Sequence, residues 1–215
     1  MALGWMLTGT SSLAATISWS GAGGDELWSN PANWIGGALP TSDDDVVINV
    51  PGAVTVRMDS PSTTIRSLQC EEGFVLENGP FTVTNGVSVV NGPFGMNPNY
   101  TLAATGPTTV FTVNGTATNV WALRVENGAV LLLPTVGELR FGPGYPYAEW
   151  SASGTGSTIR LTNLTHVAIE PGYKLDMNAN GGGRIDAPRL QVPYGSLYVN
   201  AQGTDSLIEI GRAHV

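Results

Sequence analysis

The chain contains one cysteine, Cys70, among 215 residues, so it cannot form an internal disulfide framework. Charged residues are also scarce, at 12%, whereas glycine (28) and proline (14) are abundant. This composition is typical of many tight turns between short apolar strands. The hydrophobic share of 42% is enough for a buried core and argues against a disordered chain. Because Cys70 ends the apolar run 65–70, we interpret it as a small core residue rather than a reactive thiol.

Basic residues are few, since 9 Lys and Arg stand against 17 Asp and Glu for a net charge of −8. Affinity for nucleic acid and for anionic membrane surfaces comes mainly from Lys and Arg, so the composition disfavours both partners. The chain also lacks a run of about 18 apolar residues, the length that a membrane-spanning helix needs. We therefore expect no membrane insertion within this chain.

Both ends of the chain differ from the part between them. Residues 1–15 join a short apolar stretch to the small residues Ala14 and Ala15, as in a secretory signal peptide that lacks its basic start. The alternative is an ordinary strand of a chain whose start codon was assigned inside the gene. Residues 210–215 match the translation of a common sequencing adapter, so we interpret them as a scar. We expect the native chain to continue beyond Glu209.

Short strands alternate with turns from residue 46 onward. Runs of three to six residues, rich in Val, Ile, Phe and Thr, are separated by Pro-Gly, Asn-Gly or Gly-Pro pairs. No window of ten or more residues has helical periodicity, so we predict an all-β chain. The strands predicted in the first half are 46–50, 53–58, 65–70, 74–76, 81–83 and 87–90.

A repeated unit predicts how these strands are arranged. Ala152-Ser-Gly-Thr-Gly-Ser-Thr-Ile159 recurs as Ala201-Gln-Gly-Thr-Asp-Ser-Leu-Ile208. Looser copies begin at Ala104, near residue 128 and at Ala179, a period of roughly two dozen residues that is typical of one three-strand turn of a β-solenoid. One such unit cannot bury its apolar face alone, so successive copies must stack. About seven turns at a strand spacing of about 4.8 Å would form a body about 34 Å long.

Alternation along each strand predicts which side chains fill the core, because every second residue points to the same face. Apolar residues that are predicted to point inward and stack in columns are Val46, Ile48, Ile65, Leu68, Val87, Val89, Leu123, Val125, Ile159, Leu161, Ile185, Leu190 and Ile208.

Three tryptophans, Trp19, Trp28 and Trp34, dominate the glycine-rich entry segment 16–40. This segment has too few aliphatic residues for a core of its own. We expect the rings to fold over the first turn as an N-terminal cap, covering a sheet edge that would otherwise be open to pairing. In the alternative, they form a sugar-stacking platform, because aromatic rings present apolar faces to pyranose C–H groups.

A run of three aspartates, Asp43, Asp44 and Asp45, precedes the first predicted strand of the body, 41–209. Clustered carboxylate oxygens are the ligands that calcium prefers, so the run is a candidate calcium site and the one candidate for a cofactor. The structural interpretation, which we favour, is a solvated turn that keeps the strand start from pairing with another molecule.

The entry motif resembles a known family. Trp19-x-Gly-x-Gly-Gly-Asp25-x-x-Trp28-Ser-x-Pro-x-Asn33-Trp34, followed by Asp-Asp-Val-Val-Ile48, is similar to the start of large secreted bacterial right-handed parallel β-helix proteins, including autotransporter-type and adhesin-like surface proteins. The resemblance implies a right-handed parallel β-helix located outside the cell. It supplies neither a ligand nor catalytic residues, because such domains are defined by their scaffold.

Polysaccharide hydrolases and lyases also use parallel β-helices, and each class requires its own set of site residues. A glycosidase needs an acid and a base on both sides of the scissile bond, but the partner segments that would join the aspartate run are missing. A lyase needs carboxylates from several turns and a basic residue. The candidates in the C-terminal half are Asp176, Asp186, Arg160, Arg184 and Arg189, which is too few acidic residues for this chemistry.

The sequence therefore predicts a non-catalytic scaffold or adhesin-like protein, secreted or on the cell surface, with an extracellular glycan or a surface protein as its partner. The alternative is a carbohydrate-binding or carbohydrate-cleaving β-helix. We further predict self-association through an unfinished C-terminal turn, because open parallel strands template pairing.

Overall fold

The computed structural model describes residues 14–142, 147–191 and 195–211. Nearly all of the signal-like segment and of the scar therefore lies outside the described residues. Within the described ranges the regular structure is β, apart from one 3-10 turn at Pro31–Asn33.

Parallel sheets wrap the chain into a solenoid. In order, sheet 1 contains β1 (Thr16–Ser18), β2 (Asp45–Ile48), β5 (Ser67–Cys70), β8 (Val87–Val90), β11 (Val110–Val113), β14 (Val130–Leu132), β17 (Thr158–Arg160), β20 (Arg184–Ala187) and β22 (Leu207–Ile210). Sheet 2 contains β4 (Thr63–Ile65), β7 (Phe81–Val83), β10 (Thr101–Thr105), β13 (Ala122–Glu126), β16 (Tyr147–Ser153), β19 (Lys174–Asn180) and β21 (Ser196–Gln202).

A third wall closes each turn. Its N-terminal part is sheet 3, with β3 (Thr55–Met58), β6 (Gly73–Leu76), β9 (Phe94–Met96) and β12 (Ala117–Thr118), and its later part is the pair β15 (Glu138–Phe141) and β18 (His166–Ile169). The chain visits the three walls in rotation, so β2, β3 and β4 form the first turn, and each later turn up to β17, β18 and β19 adds one strand to each wall. In the seventh turn, β20 and β21 continue sheets 1 and 2, and the third wall is represented by the bridge between His166 and Gln191. The prediction of an all-parallel β-solenoid of about seven turns is confirmed.

One continuous apolar core fills the space between the walls, from Trp19 in the cap to Leu190 in the seventh turn. Ten of the residues predicted to point inward are buried, and Ile208 is partly buried against the same core. The predicted strand 65–70 is wrong as one element, because the chain turns a corner at Arg66 and splits into β4 and β5 of different sheets.

The predicted register of β8 is also wrong. Val87 is 62% exposed and Val89 points outward with it, whereas Ser88 and Val90 are fully buried. A one-residue shift moves every side chain of a strand to the other face, and an apolar pattern on both faces of β8 hides which face is the core. Ser88 is tolerated inside because its hydroxyl accepts a hydrogen bond from the main-chain N–H of Leu68 at 3.0 Å.

The repeated unit corresponds to the corner between sheets 2 and 1. The first residue of each copy lies in one inner column, which contains four alanines and one valine: Ala104, Val125, Ala152, Ala179 and Ala201. The start predicted near residue 128 is therefore wrong by three residues, since the column position is Val125. Two residues after the alanine, the chain turns left-handed at a glycine, with φ of +90° at Gly154 and +91° at Gly203.

In three of these corners, a hydroxyl five residues after the column position, from Thr109, Ser157 or Ser206, donates to a main-chain carbonyl four residues earlier in the chain. Ser157 donates to the carbonyl of Ser153 at 2.6 Å and accepts from the N–H of Gly128 at 2.9 Å. Ser206 makes the same two bonds one repeat later, to Gln202 and from Gly182. The serine of the repeat thus satisfies main-chain groups of its own turn and of the neighbouring turn.

The entry segment covers the N-terminal end of the solenoid. β1 pairs with β2 at the edge of sheet 1, and Leu27 forms a parallel bridge with Arg57 at the edge of sheet 3. Trp28 donates its main-chain N–H to the carbonyl of Arg57 at 2.9 Å. The first-turn edges of sheets 1 and 3, which would otherwise be open, are therefore paired with the cap.

Candidate functional site

The three cap tryptophans pack against one another inside the protein. The ring centroids of Trp28 and Trp34 are 4.6 Å apart, and those of Trp19 and Trp34 are 5.0 Å apart, in edge-to-face arrangements. Trp28 also packs against Phe81 of β7, with the two ring centroids 5.7 Å apart. The three residues are only 2%, 1% and 2% exposed. This burial favours the packed cap and leaves no open ring face on which a sugar could stack.

A polar network beneath the cap surface fixes its turns. Asn33 is fully buried, donates its amide to Asp25 Oδ1 at 2.7 Å and to the Leu27 carbonyl at 3.0 Å, and accepts from the Gly23 N–H at 2.8 Å. Asp25 also accepts hydrogen bonds from the side chain of Asn30 and the N–H of Leu27. These donors, with Asn30 first, lower the pKa of Asp25 below its ordinary value.

The structure does not bring the aspartate run together as one ligand set. Asp44 is buried and accepts from the N–H and the hydroxyl of Thr41, at 2.8 and 2.7 Å. Asp45 pairs with Arg66 at 2.9 Å and accepts a hydrogen bond from Ser67, while Asp43 is exposed. In the part of the chain that the structure describes, no group of three or more His, Cys, Asp or Glu side chains could hold a metal ion. Calcium binding by the run stays a prediction.

The outer face of sheet 2 changes character along the solenoid. Its first two strands, β4 and β7, have three residues each, whereas β16, β19 and β21 have seven each. In the narrow part the outward column is Thr64, Thr82 and Ala103. The wide part carries aromatic, charged and amide side chains instead. The sheet thus broadens into a platform in its last three turns.

Five side chains converge on this platform, and we call them the tyrosine–lysine patch: Tyr147, Glu149, Lys174, Asp176 and Tyr198. The Lys174 ammonium lies 4.5 Å from the ring centroid of Tyr147 and 5.6 Å from that of Tyr198. It also pairs with Asp176 Oδ2 at 3.1 Å. Contacts between a cation and aromatic rings at exposed sites contribute about 0.5–1 kcal/mol each, so Lys174 helps to orient both rings.

Hydrogen bonds orient Tyr147 and Asp176 within the patch. Tyr147 donates its hydroxyl to Glu149 Oε2 at 2.8 Å. Desolvation, followed by the nearby Glu149 carboxylate, raises the pKa of Tyr147, so the phenol stays protonated and acts as a donor. Asp176 Oδ1 is buried and has no hydrogen-bond partner, although its other oxygen holds Lys174.

A column of neutral polar side chains runs beside the patch, parallel to the solenoid axis. Ser151, Asn178 and Asn200 occupy the same position in successive strands. Asn178 donates to Glu149 Oε1 at 3.1 Å, and Asn200 donates to Asn178 at 3.4 Å. Toward the N-terminal side, a shallow cavity of about 180 Å³ extends the surface over residues that include Thr101, Arg124 and Glu149.

A second cavity lies where the third wall changes from β12 to β15. It has a volume of about 330 Å³ and is lined by Asn119, Trp121, Arg140 and Glu170, among others. Arg140 and Glu170 form an ion pair across it at 3.5 Å. Because the two charges neutralise each other and Arg140 is mostly exposed, we interpret this cavity as a consequence of the wall break.

Sequence reasoning missed most of the patch. It named Asp176 among the lyase candidates of the C-terminal half. It did not assign Tyr147, Glu149, Lys174 or Tyr198 to any site. The signal was the repeat length. Tyr147 pairs with Lys174 and Glu149 pairs with Asp176 one turn later, and Asp176 pairs with Tyr198 after one further turn. Aligning outward positions by turn rather than by strand would have brought these residues together.

Comparison with known proteins found no matching family model, no matching curated protein and no matching solved structure. The described residues contain no helix that is long and apolar enough to cross a membrane. Function is therefore inferred from the fold and from side-chain geometry.

Proposed function

We propose that this chain is a rigid, non-catalytic scaffold segment of a secreted or cell-surface, adhesin-like protein. The observation that carries the proposal is the continuous core, which runs from the cap to the seventh turn without a polar interruption large enough to divide it. Each turn contacts its neighbours through parallel strands, so the segment can act as a stiff spacer.

The use of the charged residues supports this proposal. Seven of the eight Lys and Arg residues in the described part of the chain form ion pairs, and the eighth, Arg189, donates to Asn163 at 3.2 Å. On sheet 1, Asp186 joins Arg160 at 3.4 Å and Arg184 at 2.6 Å, linking two turns. These three candidate lyase residues of the sequence thus link neighbouring strands through ion pairs.

Export is the part of this proposal that a direct experiment can test. Residues 1–209 would be fused to a reporter enzyme that becomes active only when its disulfides form outside the cytoplasm. We expect active reporter from this fusion and none from a fusion that begins at residue 16. A fusion with an added, proven signal peptide controls for folding of the hybrid. An active control beside an inactive 1–209 fusion would contradict export by this chain.

A further inference from the structure

We infer that the tyrosine–lysine patch on sheet 2 binds a neutral oligosaccharide that lies across the strands, along the solenoid axis. This binding site goes beyond the scaffold proposal and does not depend on it. It also differs in place from the buried cap tryptophans.

Exposed aromatic side chains are concentrated at this one place. Among the described residues, Tyr147 and Tyr198 are the only aromatic members of the exposed large hydrophobic side chains, with 39% and 59% exposure. They flank Lys174 from adjacent turns, and the cation holds both rings. Tyrosine offers an apolar ring face and a polar tip, the combination that suits a sugar's C–H face and hydroxyl edge.

The polar groups beside the rings match a ligand that is rich in hydroxyls. Glu149 and Asp176 are acceptors, Tyr147 is a donor, and the amides of Asn178 and Asn200 both donate and accept. Their spacing follows the strands, so equivalent groups recur about every 4.8 Å along the axis. A linear chain of sugars can meet one set of polar groups in each successive turn.

Charge selects among glycans. The patch holds one ammonium and two carboxylates, and the ammonium is already paired with Asp176 at 3.1 Å. The whole chain has a net charge of −8. The negative electrostatic field of the chain would repel an acidic polysaccharide, whereas a neutral polysaccharide has no net charge to be repelled. A protein partner is a poorer match, since the cores of protein interfaces are depleted of charged residues and the patch has three.

The experiment uses Lys174, which is the only lysine of the chain. Reductive methylation with ¹³C-formaldehyde keeps its charge and yields one side-chain NMR signal at the patch, separate from that of the N-terminus. The probes are neutral linear hexasaccharides of glucose, mannose or xylose, with a hexamer of galacturonic acid as the acidic comparison. We expect a saturable shift of the Lys174 signal with at least one neutral probe and none with the acidic one.

Substitutions then locate the contact. Tyr198→Ala should weaken the affinity for that probe at least about tenfold, while Tyr198→Phe, which keeps the ring, should stay within about threefold of the original chain. Val87→Ala removes an exposed apolar side chain from sheet 1 and serves as the matched control, with unchanged affinity expected. Melting curves check that every variant is folded.

Three results would overturn the inference. The first is the absence of a saturable shift with every neutral probe at about 10 mM. The second is a folded Tyr198→Ala chain that binds as tightly as the original. The third is a Lys174 signal that shifts with increasing concentration of the chain itself and not with any sugar, which would assign the patch to a protein contact.

Discussion

The indole N–H of Trp34 donates a hydrogen bond to the main-chain carbonyl of Trp28 at 2.8 Å, in the buried centre of the cap. This bond ties the end of the entry segment to the residue that pairs with the first turn at Arg57. The cap is therefore joined to the solenoid by ring packing and by main-chain pairing.

Trp28→Ala should destabilise the protein by about 3–5 kcal/mol, because it empties a fully buried site between Trp34 and Phe81. Denaturant unfolding followed by circular dichroism measures the change. Ile35→Ala, in the same segment but 64% exposed, should leave stability nearly unchanged. If Trp28→Ala removed a glycan-binding signal at unchanged stability, the sugar-platform hypothesis would replace the cap.

Ser157→Ala should cost about 1–3 kcal/mol, since it removes a buried hydroxyl and leaves the partly buried Gly128 N–H and Ser153 carbonyl without their partner. Ser206→Ala deletes the same two bonds in the last corner, where water can replace them, so its effect should be smaller. The pair is a matched test by chemical denaturation. Equal losses at both positions would show that burial of the corner does not matter.

Cys70 should be inert in the folded protein. Its thiol is fully buried, and desolvation raises its pKa to about 12, so almost no thiolate is present at pH 8. A maleimide or disulfide reagent should react only after unfolding, at a rate that follows denaturant concentration. Rapid labelling of the native chain at pH 8 would disprove this burial in solution.

Acid should loosen the cap through Asp25. The folded-state pKa of this residue is lowered, so its contribution to stability is complete above its ordinary value of 3.8 and is lost as the pH falls through the lower folded value. The amide resonance of Leu27, which donates to Asp25, should report this transition in NMR spectra recorded between pH 5 and about 2. Asp25→Asn should abolish it, and Asp43→Asn should not. A transition centred at or above 3.8 would contradict the assignment.

The last described turn should mediate self-association. Val199 follows the inward column of Met177 but is 47% exposed, and Ile210 is 40% exposed, because β21 and β22 are the outermost strands of their sheets. Light scattering at micromolar concentration should detect oligomers, and Val199→Lys should reduce them. Val87→Lys, on a lateral face, is the control. A monodisperse monomer with slow amide exchange at Leu207 and Ile208 would show that this turn is already protected.

The solenoid could be predicted from the Ala152 repeat because its corner chemistry recurs in sequence: a small inner residue, a left-handed glycine and a bonding hydroxyl. The prediction of strand register failed where the local apolar pattern was ambiguous. In β8, three valines around Ser88 make both faces apolar, and only the neighbouring turns determine that Val90 is inside.

The patch was missed for a different reason. Its residues are separated by the varying lengths of whole turns, and Tyr147 meets Lys174 only after the register of β16 and β19 is known. The cap tryptophans were recognised as a group, but the burial that favours packing over sugar contact depends on Phe74 and Phe81, far along the chain.

Pairing of the entry segment with β2 and Arg57 allows the solenoid to fold in one order, from its N-terminal turn onward. The residues that close the first turn are made early, and each later strand docks onto one that already exists. Structure can therefore grow from the N-terminal end as the chain leaves the ribosome, without waiting for distant partners. Such vectorial assembly would keep the unfolded portion short and limit the time during which open strand edges can aggregate.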